Sequence, residues 1–269
     1  FVRPVEGLAA SNAHTCGLRP DGSVNCWGAI SSLYNYGQAA DQLGPFAQVS
    51  TGWWHTCGLR PDGSAHCWGD NDDGAAGTQA GPFLQLVGGS GYTCGLRLDG
   101  SVDCWGQGGG GSMLDQAGPF VQISGGSYHA CGLKPDGKVD CWGSNINGQA
   151  VDQNGPFLQV SAGAAHTCAL NPDGRVVCWG LNVSGQATNQ DGPFAMVDAG
   201  SRHTCALKPD GGALCWGDNN KGQTAAQPGP FLQIAAGFEH SCGRKPDGAV
   251  ICWGRNDEGQ TAAQPDRFG

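Results

Sequence analysis

A fifteen-residue motif with two cysteines recurs seven times along the chain, and this repetition constrains the fold more than any other feature of the sequence. The first copy, HTCGLRPDGSVNCWG, spans residues 14–28. The other copies span residues 55–69, 92–106, 129–143, 166–180, 203–217 and 240–254. The first cysteines of successive copies lie 41 residues apart once and 37 residues apart five times. A repeat period near 40 residues predicts a propeller or a solenoid.

The residues between the motifs predict strands and turns. Short apolar runs such as FLQV and FVQIS are bounded by Gly, Pro, Asn and Asp, which is typical of an all-β protein. Each motif predicts a hairpin of two strands, and each intervening segment predicts two more, for example around residues 148–151 and over residues 157–162. Four antiparallel strands per repeat form a propeller blade. The sequence therefore predicts a single domain over residues 1–269, a seven-bladed β-propeller of four-stranded blades.

The two ends of the chain indicate how the ring closes. The chain ends with QPDRF, where other copies read QPGPF, and it begins with VEGLAAS, where other copies carry the strand that follows that Phe. We expect strands from both termini to complete one blade. This arrangement removes an exposed sheet edge.

The cysteine spacing predicts one disulfide in each hairpin. When Asp21 and Gly22 form the turn, Cys16 lies opposite Cys26, and directly opposed Cα atoms are about 4.5–5.5 Å apart, which a disulfide can bridge. The predicted pairs are Cys16–Cys26, Cys57–Cys67, Cys94–Cys104, Cys131–Cys141, Cys168–Cys178, Cys205–Cys215 and Cys242–Cys252. The alternatives are reduced structural cysteines and zinc sites, although zinc needs four ligands and one hairpin offers two. Seven disulfides predict an oxidising compartment, hence a secreted or cell-surface protein.

Composition argues against several functions. The formal charge is −9 and no basic run occurs, which disfavours nucleic-acid binding. No apolar stretch is long enough to span a membrane. No nucleophile–base pair, catalytic carboxylate pair or phosphate loop stands out from the repeat. We therefore expect a binding protein rather than an enzyme, with no cofactor and no metal.

Residues that recur in every copy are assigned to the fold. We expect Trp27 and its six equivalents to pack between blades, with Gly17 leaving room for the ring. A ligand-binding ring of tryptophans is the alternative. The histidines equivalent to His14 recur in six copies, and Tyr92 replaces the seventh. Because a tyrosine can take the place of the histidine, a structural hydrogen-bonding role is favoured over a metal or catalytic ring.

The repeat resembles a known family. The pattern G-x-x-H-[TS]-C-[GA]-L-x-P-D-G-x-V-x-C-W-G-x-N-x-x-G-Q is similar to the regulator of chromosome condensation repeat, and it covers nearly the whole chain. This resemblance implies a seven-bladed propeller. The loops DNNKGQTAAQPGPFLQIAAG and RNDEGQTAAQP resemble those of secreted bacterial propellers that inhibit β-lactamases, and cysteine-bearing bacterial members are similar too. Nuclear guanine-nucleotide exchange is not expected, because this chain has paired cysteines and no basic tail.

Positions that differ between copies are the candidates for function. The pair before each recurring His and the loop after each CWG are expected on one face of the ring, with the nearly constant PDG and GPF turns on the other. The candidate residues for binding another extracellular protein are Trp53, Trp54, Tyr128, Arg202, Phe238 and Glu239. In the inhibitor propellers, by resemblance, the same pair carries aromatic contacts to the target enzyme. Alternatively, these aromatic residues cover the hydrophobic edges of their own blades.

Three other interpretations remain open. The repeated NxxGQ loops are compatible with glycan binding, or the chain is a structural component of an extracellular assembly. The acidic loop 70–74 is a candidate calcium site, although it lacks the remaining ligands of a calcium loop. Asn182, in the triplet Asn182-Val183-Ser184, is a candidate glycosylation acceptor.

Overall fold

The computed structural model describes residues 7–31, 33–108 and 113–269, and it forms a seven-bladed β-propeller of three-stranded antiparallel sheets. In each blade the strands run from the inside of the ring outward in chain order. The blades are β1 (Leu8–Ala10), β2 (His14–Leu18) and β3 (Val24–Gly28); β4 (Gln48–Thr51), β5 (His55–Leu59) and β6 (Ala65–Gly69); β7 (Phe83–Gly88), β8 (Tyr92–Arg97) and β9 (Val102–Gly106); β10 (Gln122–Gly125), β11 (His129–Leu133) and β12 (Val139–Gly143); β13 (Gln159–Ala162), β14 (His166–Leu170) and β15 (Val176–Gly180); β16 (Met196–Ala199), β17 (His203–Leu207) and β18 (Ala213–Gly217); and β19 (Gln233–Ala236), β20 (His240–Arg244) and β21 (Val250–Gly254).

The sequence predicted four strands per blade, whereas each observed sheet has three. The expected outermost strand is reduced to one bridging residue in five blades, at Gln42, Gln79, Gln116, Gln153 and Gln190. Residues 148–151, which the sequence predicted as a strand, lie in a turn instead. The physical reason is local hydrogen bonding, because Asn145 Oδ1 accepts the N–H of Ala150 at 2.9 Å. Backbone groups that bond within a loop are not available to a sheet ladder.

The two chain ends meet in blade 1, as predicted, but the C-terminal residues form no strand there. Strand β1 supplies the inner strand, and the N–H of Leu18 donates to the carbonyl of Gly7 at 2.7 Å. The N–H of Gly269 donates to the carbonyl of Leu18 at 2.9 Å. In blade 2 the N–H of Ala47 bonds to the carbonyl of Leu59 in the same way. The C-terminal residues, although not in a strand, therefore take the place that a continuous chain fills in the other blades.

The predicted hairpin register and all seven predicted disulfides are confirmed. In the first hairpin Cys16 pairs with Cys26, with Cα atoms 4.1 Å apart. The turn is closed by a hydrogen bond from the Arg19 N–H to the Ser23 carbonyl at 2.8 Å, and Gly22 has a φ of +82°. A positive φ at this position explains why every copy carries glycine there.

The repeated tryptophans pack between blades, as predicted. Trp68 of blade 2 packs against the core of blade 1, and its indole N–H donates to the carbonyl of Gln38 at 3.0 Å. The explanation for the small residue at Gly17 was wrong, however. A Cβ at Gly17 would lie 2.3 Å from the Phe268 ring, so the constraint comes from the phenylalanine rather than from the tryptophan.

A belt of glutamines connects neighbouring inner strands around the channel. Gln159 Nε2 donates to the Val197 carbonyl and Gln159 Oε1 accepts the Val197 N–H, both at 3.0 Å. Gln122 makes the same pair of bonds to Val160. The equivalent positions in blades 1 and 6 are Gly7 and Met196, so the seams to blades 2 and 7 lack this pair. No helix long and apolar enough to cross a membrane occurs in the described part of the chain.

Candidate functional site

The turns and loops that vary between repeats lie on one face of the ring, which we call the variable face. It comprises the turns at 12–13, 53–54, 90–91, 127–128, 164–165, 201–202 and 238–239 and the loops at 29–37, 70–74, 107–112, 144–148, 181–185, 218–222 and 255–259, of which Ser32 and residues 109–112 lie outside the described residues. In every blade a backbone N–H near the start of the loop donates to the carbonyl of the second turn residue, as from Asp70 to Trp54 at 2.9 Å. These bonds fix each turn beside its loop.

The opposite face is built from the uniform turns. In every blade a phenylalanine in or next to the inner strand donates its N–H to the carbonyl of the hairpin-turn glycine of the preceding blade, as from Phe46 to Gly22 at 2.8 Å. Because this bond recurs seven times, the opposite face has nearly the same backbone in each blade. Differences in chemistry around the ring are therefore concentrated on the variable face.

Three aromatic side chains from different blades meet at the centre of the variable face. The Trp53 ring centroid lies 5.9 Å from that of Tyr128 and 5.6 Å from that of Phe238. All three rings are half-buried. Trp53 and Phe238 also line the mouth of the central channel, a cavity of about 80 Å³. The three predicted residues come from blades 2, 4 and 7, and the fold brings them into one cluster.

Trp54 belongs to the same surface but has different neighbours. Its ring stacks on Tyr34, with centroids 5.4 Å apart and planes 6° from parallel, and it meets Tyr36 edge-on at 5.8 Å. Its ring also lies edge-on to the Trp53 ring, with centroids 6.4 Å apart. Six aromatic side chains thus form one connected group, which we call the aromatic cluster: Tyr34, Tyr36, Trp53, Trp54, Tyr128 and Phe238.

Sequence reasoning missed Tyr34 and Tyr36 as site residues. Both lie in the loop 29–37, whose extra residues account for the single 41-residue spacing. The sequence comparison placed this longer loop on the variable face, but it singled out no residue in it. The loop is held in place by Gln38, whose Oε1 accepts the Tyr36 N–H and whose Nε2 donates to the Tyr34 carbonyl.

The two charged candidates occupy different environments. Glu239 Oε2 forms an ion pair with Arg255 Nη1 at 3.3 Å. Arg255 Nε also pairs with Asp257 Oδ2 at 3.0 Å. Arg202 is exposed on blade 6 and, within the described residues, makes no ion pair. Glu239 is therefore part of a charged group beside Phe238, whereas Arg202 stands apart from it.

Several loop tips expose apolar side chains that sequence reasoning did not single out. Ile146 is 91% exposed and Val183 is 75% exposed, in the loops of blades 4 and 5. Ile30 and Leu33 are also exposed, in the long loop of blade 1. Apolar tips around an aromatic centre are typical of a surface that another protein covers.

The repeated NxxGQ loops use their polar groups internally. Asn182 Oδ1 accepts the Ala187 N–H at 2.9 Å, and Gln186 Oε1 accepts the Ser184 N–H at 2.8 Å. The side chain of Gln186 is fully buried, as are those of Gln223 and Gln260. The Asn and Gln side chains thus shape the loops, and these glutamines are not part of an exposed polar site.

The recurring histidines form a structural belt between blades, as predicted. His166 Nε2 lies 2.8 Å from Thr204 Oγ1, and the same contact recurs from each histidine to the Thr or Ser of the next blade. The Thr204 hydroxyl donates its hydrogen to the Gln186 carbonyl at 2.8 Å. It must therefore accept from the histidine, which places the proton on Nε2. Burial lowers the pKa of His166 to about 3, with smaller effects from neighbouring histidines.

Tyr92 interrupts the belt in a way that explains the substitution. Its single hydroxyl hydrogen is shared between two backbone carbonyls of the next blade, those of Gly126 at 2.8 Å and His129 at 2.6 Å. The residue of blade 4 that would otherwise receive a histidine bond is Ala130 rather than a threonine. Tyrosine and alanine thus occur together, because the tyrosine needs no hydroxyl partner on the next blade.

The two remaining sequence candidates, the acidic loop 70–74 and Asn182, lie in loops of the variable face. In the loop 70–74, Asp70 Oδ1 accepts the Asp72 N–H at 3.1 Å. Within the described residues, no group of three His, Cys, Asp or Glu side chains converges as metal ligands. Asn182 is exposed, and its glycosylation stays a prediction.

Comparison with known proteins agrees with this architecture. A family model described as the regulator of chromosome condensation (RCC1) repeat matches residues 5–38, 46–75, 120–149, 157–186, 197–223 and 231–260. The blade 3 hairpin, in which Tyr92 replaces the histidine and Leu98 the proline, lies outside these matches. No curated protein matches the sequence significantly.

Among solved structures, the CRINKLY WD40 ectodomain from the Arabidopsis thaliana receptor kinase ACR4 has 27% identity and a TM-score of 0.79, covering 97% of this chain and 98% of that chain. The entire ectodomain from the Physcomitrella patens receptor kinase CR4 has 30% identity and a TM-score of 0.75, covering 92% and 73%. Prp20p from Saccharomyces cerevisiae has 19% identity and a TM-score of 0.74, covering 98% and 86%, and shares the fold.

These matches extend over the repeats that define the blades. The family model alone matches more than half of the chain. The protein therefore belongs to the regulator of chromosome condensation (RCC1) repeat family.

Proposed function

We propose that this protein is an extracellular binding protein that holds another protein against its variable face. The observation that carries the proposal is the aromatic cluster, in which Trp53, Tyr128 and Phe238 come from three blades and remain half-exposed. Large aromatic side chains at the centre of a surface are typical anchors of protein interfaces. The exposed loop tips, such as Ile146, extend the apolar surface outward.

The extracellular location is supported by two features. All fourteen cysteines form disulfides, which persist in oxidising compartments. The two plant structures with the higher identities are receptor-kinase ectodomains. We further propose that residues 1–269 act as one unit, since the aromatic cluster draws side chains from blades 1, 2, 4 and 7.

A binding role is favoured over catalysis by the state of the histidines. The six belt histidines are buried with Nε2 bound to a hydroxyl that already donates elsewhere, so the hydroxyl is not activated as a nucleophile. The buried glutamines of the NxxGQ loops weaken the glycan-binding alternative, because they remove its repeated polar site.

The test is capture of a partner from native extracellular material on immobilised protein. We expect the wild type to retain a protein that the folded Trp53→Ala/Trp54→Ala variant loses. A matched control is Leu98→Ala, since Leu98 is 67% exposed in a turn of the opposite face. Equal capture by wild type and double variant, or loss of capture by the Leu98 control alone, would argue against the proposed face.

A further inference from the structure

A recess opens on the variable face where blades 7, 1 and 2 adjoin. Its volume is about 260 Å³, and it is lined by Asn12, Ala13, Tyr34, Trp54, Phe238, Arg255 and Glu258. Sites for drug-sized ligands are usually about 300–1,000 Å³. The recess is therefore smaller than such a site and is of a size suited to one side chain of a docked protein.

The long loop of blade 1 forms one wall of this recess and is fastened to the opposite wall. The Ser31 N–H and the Ser31 hydroxyl donate to the two carboxylate oxygens of Glu258, both at 2.9 Å. On the other side of the loop, Tyr34 stacks on Trp54. Ser31 and Tyr34 thus fix the loop to both walls of the recess without a partner, and a preformed recess reduces the entropy cost of binding.

The charges around the recess favour a cation. Two of the three guanidinium nitrogens of Arg255 are already paired with carboxylates, Nη1 with Glu239 at 3.3 Å and Nε with Asp257 at 3.0 Å. An incoming anion would have to compete with these two carboxylates. Glu258 adds a third carboxylate, and each of its oxygens can accept a bond beyond the one from Ser31. The charged residues of the lining are Arg255 and Glu258, and Glu239 and Asp257 lie beside them on Arg255. Counted together, these four side chains carry a formal charge of −2.

The chemistry of the walls favours the same kind of ligand. Three aromatic rings line the recess, those of Tyr34, Trp54 and Phe238. Aromatic rings attract cations placed against their faces, and they also cover the aliphatic stem of a long basic side chain. Over the whole variable face the acidic residues outnumber the basic residues by seven to three, with Asp70, Asp72, Asp73, Asp218, Glu239, Asp257 and Glu258 against Arg202, Lys221 and Arg255.

We propose that this recess receives a lysine or arginine side chain of the partner protein, an inference that rests on the protein-binding function proposed above. The basic side chain packs its stem on Trp54 and directs its charge to the carboxylates beside Arg255. The aromatic cluster at the channel mouth then contacts apolar groups of the partner, and the recess selects for a basic group next to them.

The test uses the full chain with ¹⁵N-labelled tryptophan and follows the indole signals by NMR. The probes are N-acetyl-arginine methylamide, N-acetyl-lysine methylamide, the uncharged N-acetyl-citrulline methylamide and the anionic N-acetyl-glutamate methylamide. We expect the cationic probes to shift the Trp54 signal saturably and at least threefold more tightly than citrulline, and to bind more weakly in 1 M salt. Binding of citrulline or glutamate as tight as that of arginine would overturn the inference.

Two variants guard against a folding artefact. Glu258→Gln removes a charge from the recess, and Asp257→Asn removes one beside it without touching the Ser31 anchor. Both should weaken the cationic probes at least threefold, whereas Val183→Ala, in the loop of blade 5, should not. Unchanged binding in both charge variants would contradict the inference.

A protein captured by the variable face without any cation preference in the recess overturns this inference and leaves the proposed function standing. A cation preference with no captured protein overturns the proposed function.

Discussion

The Trp53 ring meets the Phe238 ring edge-on, with centroids 5.6 Å apart and planes at 82°, although the two residues lie in blades 2 and 7. This contact depends on ring closure, because blade 1 with both chain ends stands between the two blades. In the same ring Tyr128 of blade 4 lies against Trp53. An aromatic centre assembled from distant repeats is one surface rather than a set of separate blade edges, so its members should act together in binding.

The disulfides should each contribute a modest stability. Each closes a short loop within one hairpin, with a sequence separation of 10, for which chain entropy gives at most about 2–3 kcal/mol. We expect Cys168→Ala/Cys178→Ala to lower the free energy of unfolding by about 2 kcal/mol, measured by urea denaturation. The single variant Cys168→Ala, measured without reductant so that the other six disulfides stay closed, shows how much of the loss comes from packing of the Cys178 side chain. A loss well above 5 kcal/mol for the pair would show that loop entropy is not the main contribution.

The histidine belt should make stability fall in mild acid. Burial lowers the pKa of His14, His166 and His240 to about 3 and of His55, His129 and His203 to about 4. Below about pH 6.5 the unfolded chain binds protons that the folded chain excludes, so stability drops as the pH falls from 6.5 toward 4. Each histidine contributes roughly 1 kcal/mol per pH unit in this window.

One buried carboxyl acts in the opposite direction. Burial raises the pKa of Asp198 to about 6, so the folded chain holds a proton there that the unfolded chain releases. Its contribution is present at low pH and is lost as the pH rises through about 6. The six histidines outnumber this one carboxyl, so the free energy of unfolding still increases with pH over this window. Urea denaturation at pH 7 and pH 5 measures it, and equal stability at both values would contradict this account.

A pair of substitutions can test the belt geometry directly. His166→Tyr/Thr204→Ala copies the natural combination of Tyr92 and Ala130 at the seam between blades 3 and 4. We expect this double variant to fold and to lose one histidine's share of the pH slope. Thr204→Ala alone leaves the buried His166 N–H without its acceptor, which should cost about 1–3 kcal/mol. A double variant less stable than the single one would show that the tyrosine does not fit this seam.

The glutamine belt predicts a stabilising substitution. Met196 occupies the position from which Gln159 and Gln122 bond to the neighbouring inner strand. Met196→Gln should add a similar pair of bonds to Ile234 of blade 7 and raise the free energy of unfolding by about 1 kcal/mol. The matched control is Gln159→Met, which should lower it by a similar amount or more. A lower stability in Met196→Gln would show that apolar packing at this position outweighs the hydrogen bonds.

Much of the fold was predictable because it is encoded in short-range spacing. The turn at Asp21 and Gly22 determines that Cys16 faces Cys26, and the same local rule holds in all seven hairpins. The missing fourth strand was not predictable from alternation of residue types. It depends on competition between ladder bonds and loop bonds such as that from Ala150 to Asn145.

The candidate site was predictable only in part. Comparing repeats identified Trp53, Tyr128 and Phe238 as variable, but their mutual contact depends on the closed ring and on side-chain directions. Tyr34 and Glu258 escaped notice for a related reason. In the sequence each is an ordinary loop residue. Their roles depend on contacts made in the fold, where Tyr34 stacks on Trp54 and Glu258 accepts hydrogen bonds from Ser31.

The most direct test of the central claim is the affinity of the captured partner for wild type, Trp53→Ala, Phe238→Ala and the double variant, with Leu98→Ala as the control. We predict that each aromatic variant loses roughly 30-fold or more in affinity, as anchors at the centre of an interface do. Since the two rings touch, the losses in the double variant should not add. Wild-type affinity in both aromatic variants, or a loss confined to Leu98→Ala, would contradict the account.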